Sequence, residues 1–252
     1  MSQCGKTGTR YILFYNMISI DNFLRYNRQM MLPEIGEKGQ EKLLNAKVLV
    51  IGAGGLGCPI LQYLTTCGVG TIGVIDFDIV ELHNLHRQIL YNGKHIGQSK
   101  AITAKMVLEE LNPVGNYIVY NEKLTPENCT SIISDFDVVV DGSDNFATRY
   151  LVNDTCVLLC KPLVYGSILK FQGQMAVFNH NGSKNLRHIF PEPPNPQDVP
   201  NCSLNGVLGT LPGIIGTMMA QETLKLFMSL PVLHNEIVLF DTLNLNFTKL
   251  KF

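Results

Sequence analysis

The sequence has few charged residues and no excess of either sign. Among its 252 residues, Lys and Arg total 20 and Asp and Glu total 21, which gives a formal net charge of -1. This balance argues against a basic nucleic-acid-binding protein and against an acidic disordered chain. Charged residues make up 16% of the chain, below the roughly 25% of ordinary soluble domains. Burial between subunits or in a membrane would explain the deficit.

The membrane explanation does not fit the pattern of uncharged residues. Two long stretches carry no formal charge, Val48 to Ile75 and Cys202 to Gln221, and both exceed the roughly 18 residues of a spanning helix. Glycine and proline interrupt both stretches, which is typical of strands, turns and helices inside a core. We therefore expect no membrane span, and the low charge favours burial in an oligomer.

The chain also lacks paired cysteines and a secretory leader. Its seven cysteines contain no C-x-x-C pair, which argues against a disulfide framework and a four-sulfur zinc site. Residues Met1 to Tyr15 have no clean apolar core, so no signal peptide is expected and the protein is predicted to be cytoplasmic. We expect residues 1–18 to be a loosely ordered N-terminal tail, with Met17 as an alternative start, and residues 19–252 to form a single domain.

What the sequence does contain is an alternation of strand and helix patterns. The apolar run Lys47–Ile51 precedes a glycine-rich turn, a helical segment and a second strand over Thr71 to Asp76, the order of a βαβ unit. This alternation predicts a doubly wound, mostly parallel, Rossmann-like α/β sheet. Further predicted helices lie at Ser19 to Ala46, Cys58 to Cys67, Lys100 to Leu111 and Thr125 to Ser134, and further predicted strands at Tyr117 to Tyr120 and Phe136 to Val140.

The second half of the chain departs from this alternation. It predicts a strand pair, a proline-rich segment, a long helix and a final hairpin, so the C-terminal strands are expected to be antiparallel. These elements are predicted at Pro162 to Ser167, Gln174 to Asn179, Ser183 to Gly206, Leu211 to Ser229, Glu236 to Asp241 and Asn246 to Phe252, with a turn over Phe171 to Gly173.

The turn after the first strand has the pattern G-x-G-x-x-G, formed by Gly52, Gly54 and Gly57. Such glycines let backbone N–H groups approach a phosphate at a helix N-terminus. Asp76, at the end of the next strand, is placed to reach a ribose hydroxyl of a bound nucleotide. The alternative is a tight turn that binds nothing.

Two cations favour a triphosphate over NAD, the default ligand of this pattern. Arg87 and Lys100 follow the second strand and would lie where an extended phosphate chain runs. Cleavage of a triphosphate builds charge on the leaving pyrophosphate, which cations stabilise. The alternative is that both are ordinary surface charges.

A second acid follows the fourth strand. Asp144 lies at the edge where open α/β sheets bind ligands. A carboxylate there could hold Mg²⁺ against phosphate oxygens. The alternative is that Asp144 caps a helix from Asn145 through Arg149.

Taken in order, these motifs resemble the ThiF/MoeB/HesA group, which is related to the ubiquitin-activating enzymes. The resemblance extends from about Asn22 to the C-terminus, and its specificity comes from the ordered combination of motifs. The motifs are RYNRQ at 25–29, GAGGLG at 52–57, DFD at 76–78, NLHRQ at 84–88, Lys100 and DGSDN at 141–145.

The resemblance implies a homodimeric adenylyltransferase. Its substrates would be Mg-ATP and the C-terminal glycine of a small ubiquitin-like sulfur carrier ending in Gly-Gly, MoaD-like or ThiS-like, in molybdopterin or thiamine biosynthesis. A sulfurtransferase is a further implied partner, and neither nucleic acid nor membrane is expected. One alternative is a same-fold ATP-dependent enzyme that modifies a tRNA or a peptide, and another is an NAD-dependent dehydrogenase.

The resemblance also implies residue roles. The glycines cradle phosphates, Asp76 holds the ribose, Asp144 supports Mg²⁺, and Arg28 matches the family arginine that reaches across the dimer to the partner's ATP. The implied catalytic residues are Arg28, Arg87, Lys100, Asp144 and Cys202. The implied nucleotide-binding residues are Gly52, Gly54, Gly55, Gly57, Asp76, Asp78, Asn84, Arg87, Gln88, Lys100 and Asp144.

Cysteine chemistry is where the sequence departs from this family. Cys202 lies in the proline-rich loop, where a thiol could reach an acyl-adenylate, or it is a small packing residue. Zinc-containing relatives carry a C-x-x-C where this chain has Asn185 to His188, and a second one beyond the position of Phe252. We therefore expect no zinc site and no fused sulfur-transfer domain.

Overall fold

The computed structural model describes residues 18–195 and 206–252, so the expectations for the tail and for Cys202 lie outside the described residues. The described helices are α1 (Ile20–Met30), α2 (Gly36–Asn45), α3 (Gly57–Thr66), α4 (Lys100–Leu111), α5 (Cys129–Ser134), α6 (Phe146–Leu158) and α7 (Thr210–Met228). The strands are β1 (Lys47–Ile51), β2 (Thr71–Ile75), β3 (Asn116–Tyr120), β4 (Val138–Asp141), β5 (Leu163–Leu169), β6 (Gln172–Phe178), β7 (Glu236–Asp241) and β8 (Asn246–Lys251).

One sheet runs through the described part of the chain, in the order β3-β2-β1-β4-β5-β6-β7-β8. Strands β1 to β5 pair in parallel, and β6, β7 and β8 continue the sheet antiparallel. This confirms the predicted fold class. The strand order reverses between β1 and β4, and ligands of doubly wound sheets bind at that reversal, beyond the carboxyl ends of the strands.

Helices cover both faces of the sheet and divide the core into two layers. Val48 and Val50 of β1 pack under α3, α4 and α7, whereas Leu49 and Ile51 pack under α5 and α6. The middle strand is therefore apolar at every one of these positions, as expected for a strand buried on both faces. None of the described helices is long and apolar enough to cross a membrane.

Two predicted helices differ from those in the structure. The segment predicted as one helix over Ser19 to Ala46 is two helices, because Pro33 and the left-handed Gly36 (φ +55°) interrupt it. The helix predicted from Thr125 begins only at Cys129, since the Asn128 side chain accepts the N–H of Thr125 at 2.8 Å and holds a turn there.

The start of α6 settles the alternative role of Asp144. The helix cap is Asn145, whose side-chain oxygen accepts the N–H of Thr148 at 2.9 Å. The interpretation of Asp144 as the cap is therefore wrong. Its side chain points into solvent at the carboxyl edge of the sheet.

Candidate active site

The turns that follow β1, β2 and β4 meet at the carboxyl edge of the sheet. The N–H of Gly52 donates to the carbonyl of Ile75 at 2.8 Å, and the N–H of Gly142 donates to the carbonyl of Ile51 at 2.9 Å. These bonds place the predicted phosphate turn beside the two segments that carry Asp76 and Asp144. The fold thus brings three of the predicted motifs to one edge.

The glycines of this turn have different structural roles. Gly52 has a left-handed backbone (φ +85°), and a Cβ on Gly57 would lie 1.9 Å from the carbonyl oxygen of Gly52. Gly57 therefore lets α3 pack against the turn. Gly54 faces more open space, and within the described chain the N–H groups of Gly54 and Gly55 donate to no protein acceptor. Unbonded N–H groups at the N-terminus of a helix form an anion-binding site.

Asp76 is held rigidly at this site. One carboxylate oxygen accepts the N–H of Ala53 at 2.8 Å, and the other accepts the N–H of Asp78 at 2.8 Å. Burial raises the pKa of Asp76, and the two backbone N–H groups together with the charge of Lys100 lower it in part. The acid is thus fixed by the backbone of the glycine turn, with lone pairs left to accept hydroxyl groups.

Lys100 begins α4 and is only 6% exposed. Its Nζ donates to Oδ2 of Asp78 at 3.0 Å, so the interpretation of Lys100 as an ordinary surface charge is wrong. The buried Tyr91 hydroxyl lies 2.9 Å from the carbonyl oxygen of Ala53 and 3.1 Å from that of Lys100, and shares its one proton between these two acceptors. These bonds fix the start of α4 against the glycine turn.

The NLHRQ segment lies along the other side of the glycine turn. Asn84 and Gln88 are buried, and the side-chain oxygen Oε1 of Gln88 has no partner among the described residues. The Arg87 guanidinium is half-buried beside the turn, where its Nη1 donates to the carbonyl of His83 at 2.9 Å and lies 2.7 Å from Nε2 of His86. A buried amide oxygen without a partner is typical of a site that is completed by a ligand or water.

Two predicted catalytic residues stand apart from this bonded cluster. The side chains of Asp144 and Arg28 are exposed, and neither side chain forms a hydrogen bond or ion pair with a described residue. Arg28 lines a surface groove with Phe23, Met31 and Glu37 rather than with the glycine turn. Within one chain, the structure does not bring Arg28 to the other predicted site residues.

No metal site is built from protein ligands alone in residues 18–195 and 206–252, where no group of three or more His, Cys, Asp or Glu side chains is close enough to hold an ion. A single exposed carboxylate at the edge of a phosphate turn does fit Mg²⁺, which binds one or two carboxylates together with phosphate oxygens and water. Asp144, exposed at the carboxyl edge of the sheet, is a carboxylate of this kind.

Two residues at this edge, Tyr91 and Arg149, are not among the predicted site residues. Tyr91 carries no motif signal, since its role comes only from its long-range bonds to the glycine turn. Arg149 is a buried arginine of α6 that donates to the carbonyl of Ser143. Arg149, Val152 and Cys156 are spaced as residues on one face of a helix are, so the helical pattern could have predicted that Arg149 lies on a buried face.

Comparisons with known proteins agree with this architecture. The ThiF family model matches residues 26–252. The chain is 49% identical over 232 residues to the sulfur carrier protein adenylyltransferase of Thermus thermophilus, covering 90% of this chain and 86% of that protein. It is 46% identical over 231 residues to the adenylyltransferase and sulfurtransferase MOCS3 of Xenopus laevis, covering 91% of this chain.

The two remaining findings concern length and fold. The chain spans about half of the MOCS3 protein, 51% of its length. Its fold matches that of E. coli MccB in a crystal structure with AMPCPP and MccA, with a TM-score of 0.80 at 18% identity, over 94% of this chain and 72% of that one. As the ordered motifs predicted, the chain belongs to the ThiF family.

Proposed function

We propose that this chain is an ATP-dependent adenylyltransferase that activates the C-terminal glycine of a small ubiquitin-like sulfur carrier. Family membership and the similarity to the Thermus thermophilus enzyme support the reaction class. The observation that carries the proposal is a preformed cradle at one edge of the sheet, where the N–H groups of Gly54 and Gly55, which donate to no described residue, meet a fixed Asp76 and a buried Lys100.

The chemistry follows from what this edge offers. A carboxylate oxygen of the carrier's terminal glycine attacks the α-phosphorus of ATP and forms a new O–P bond. At the same time, the bond breaks between the α-phosphorus and the oxygen that bridges the α- and β-phosphates. Pyrophosphate leaves with the electron pair, and the product is an acyl-adenylate. In-line displacement at phosphorus needs positioning and charge stabilisation rather than a protein nucleophile.

The residues of the cradle divide these tasks. The N–H groups of Gly54 and Gly55 bind phosphate oxygens, and the Asp76 carboxylate accepts ribose hydroxyls. Arg87 and Lys100 stabilise the charge that develops on the departing pyrophosphate. Asp144 would hold Mg²⁺, which when bound neutralises charge on the phosphate oxygens.

The proposal includes a homodimer in which Arg28 acts on the partner's ATP. Its support is that Arg28 is exposed and has no bonded partner among the described residues. The neighbouring helix surface is also apolar, since Leu24 is 64% exposed and Met31 is 70% exposed. Such a surface on α1, together with the low charge of the chain, fits burial against a second subunit.

Exchange of labelled pyrophosphate into ATP tests this function. We expect exchange with Mg-ATP and a MoaD-like or ThiS-like carrier, and none with the same carrier lacking its last glycine. Exchange that is independent of the Gly-Gly end would favour a different acceptor. Absence of exchange with every carrier, together with tight NADH binding and no ATP binding, would overturn the proposal in favour of a dehydrogenase.

A further inference from the structure

Arg149 is a buried cation to which the proposed reaction assigns no role. It lies in the first turns of α6 and is only 6% exposed. Its Nη2 donates to the carbonyl of Ser143 at 2.9 Å, and its Nη1 donates to the hydroxyl of Ser167 on β5 at 2.8 Å. The guanidinium therefore ties the turn after β4 to the neighbouring strand.

Keeping this cation buried is costly. Removal of an ion from water costs several kcal/mol, and apolar residues of similar volume often stabilise a protein as well or better. Asp141 is fully buried as well; burial raises the pKa of Asp141, and the charge of Arg149 opposes that shift. Packing alone does not account for two buried charged side chains that both bond to the backbone of Ser143, whereas a need to fix the turn does.

The fixed turn is the one that carries Asp144. Both backbone groups of Ser143 are bound by buried charged side chains, its N–H by Oδ1 of Asp141 at 2.9 Å and its carbonyl by Arg149. On the other side, Asn145 is fixed as the cap of α6. Asp144 thus stands between two immobilised residues, while its own exposed side chain forms no hydrogen bond or ion pair with a described residue.

We propose that Arg149 is a positioning residue that, by holding the peptide between Ser143 and Asp144, aims the Asp144 carboxylate at the magnesium-bound nucleotide. This inference rests on the proposed function. Arg149 is buried and its guanidinium donates to Ser143 and Ser167, so we assign it no direct contact with nucleotide or metal. Its effect on the reaction passes through the backbone, in the way that outer residues orient a metal ligand.

Substitution of Arg149 in the full chain tests this inference by two measurements. In R149M we expect the Mg²⁺ concentration for half-maximal pyrophosphate exchange to rise roughly 10–100-fold, the cost typical of losing an orienting partner. The KM for ATP should stay unchanged, because the glycine turn is intact. Amide hydrogen exchange over residues 141–149 should become faster in R149M, and R149K should restore part of both properties.

The matched control is Arg187→Met. Arg187 pairs with Asp154 in α6, at the surface and away from the turn after β4. The R187M variant should therefore leave the Mg²⁺ dependence of pyrophosphate exchange and the amide hydrogen exchange of that turn unchanged. If R149M does not fold, the double variant D141N/R149M removes both buried charges and keeps the Oδ1 acceptor for Ser143. Unchanged amide exchange and unchanged Mg²⁺ dependence in the folded variant would overturn the positioning role.

The two measurements separate this inference from the proposed function. A wild-type chain without pyrophosphate exchange would contradict the proposed function. In that case the amide exchange of the turn still decides whether Arg149 fixes the residues around Asp144.

Discussion

The two parts of the candidate site differ in how completely they are built. Around the glycine turn, Asp76 and Lys100 are held by protein partners at 2.8–3.0 Å. By contrast, Asp144 and Arg28 are exposed and carry no bonded partner among the described residues. We infer that the first part binds nucleotide without reorganisation, whereas the second acts only when metal, ATP and a second subunit are present.

The largest expected effect comes from removing the exposed acid. Asp144→Ala should lower kcat for adenylation by about 10³-fold, because metal stabilisation of phosphoryl charge is worth several kcal/mol. The melting temperature should not change, since the side chain bonds to no residue in the part of the chain that the structure describes. The measurement is pyrophosphate exchange beside thermal unfolding, and retained turnover would contradict a metal role.

The second effect tests action across a dimer. Arg28→Ala should lower kcat by about 10²-fold, as loss of one group that stabilises developing charge does. If Arg28 acts in trans, mixed dimers of R28A with D144A should regain activity, because one of their two sites is intact. Mixed dimers that stay inactive would place Arg28 in its own subunit's site, and full activity of R28A alone would place it outside the reaction.

The third effect separates packing from binding within the glycine turn. Gly57→Ala should lower the free energy of unfolding by about 3 kcal/mol, because its Cβ would overlap the carbonyl of Gly52. Gly54→Ala should leave stability nearly unchanged, since the nearest atom to its Cβ lies at 3.6 Å, and should weaken ATP binding instead. Denaturant unfolding and ATP titration of both variants would show whether the two glycines differ in this way.

The smallest effect is expected far from the site. The pKa of Asp154 is lowered mainly by its hydrogen bond from Arg187, so the pair stabilises the fold above the unfolded-state pKa of the acid. That contribution is lost as the pH falls through the lowered pKa. Asp154→Asn should therefore lower the free energy of unfolding slightly at neutral pH and leave it unchanged in acid. The variant should keep its full activity. A large loss at neutral pH would show that this exposed pair matters more than we expect.

Local signals in the sequence were sufficient for much of the fold. Helix α4 has its predicted bounds because Ser99 caps it by accepting the N–H of Ile102, and Asn112 and Pro113 end it. Strand β7 likewise occupies Glu236–Asp241 as predicted. The shortened α5 was missed because the bond from Thr125 to the Asn128 side chain competes with the helix at its start.

The meeting of three motifs at one edge of the sheet was predictable from the sequence, whereas the bonds that hold them there were not. Ordered motifs indicated which residues belong together, and the parallel sheet brings the glycine turn, Asp76 and Asp144 to one edge. The burial of Lys100 and the bonds of Tyr91 and Arg149 depend on contacts between segments far apart in sequence. No local pattern encodes such contacts.

The most direct test of the central claim is to look for the activated carrier itself. Purified protein is mixed with Mg-ATP and a carrier ending in Gly-Gly, and the intact carrier is weighed by mass spectrometry. We predict a carrier heavier by one adenylyl group, formed together with pyrophosphate and lost in the Asp144→Ala variant. An unmodified carrier under conditions where the protein binds ATP would contradict the account.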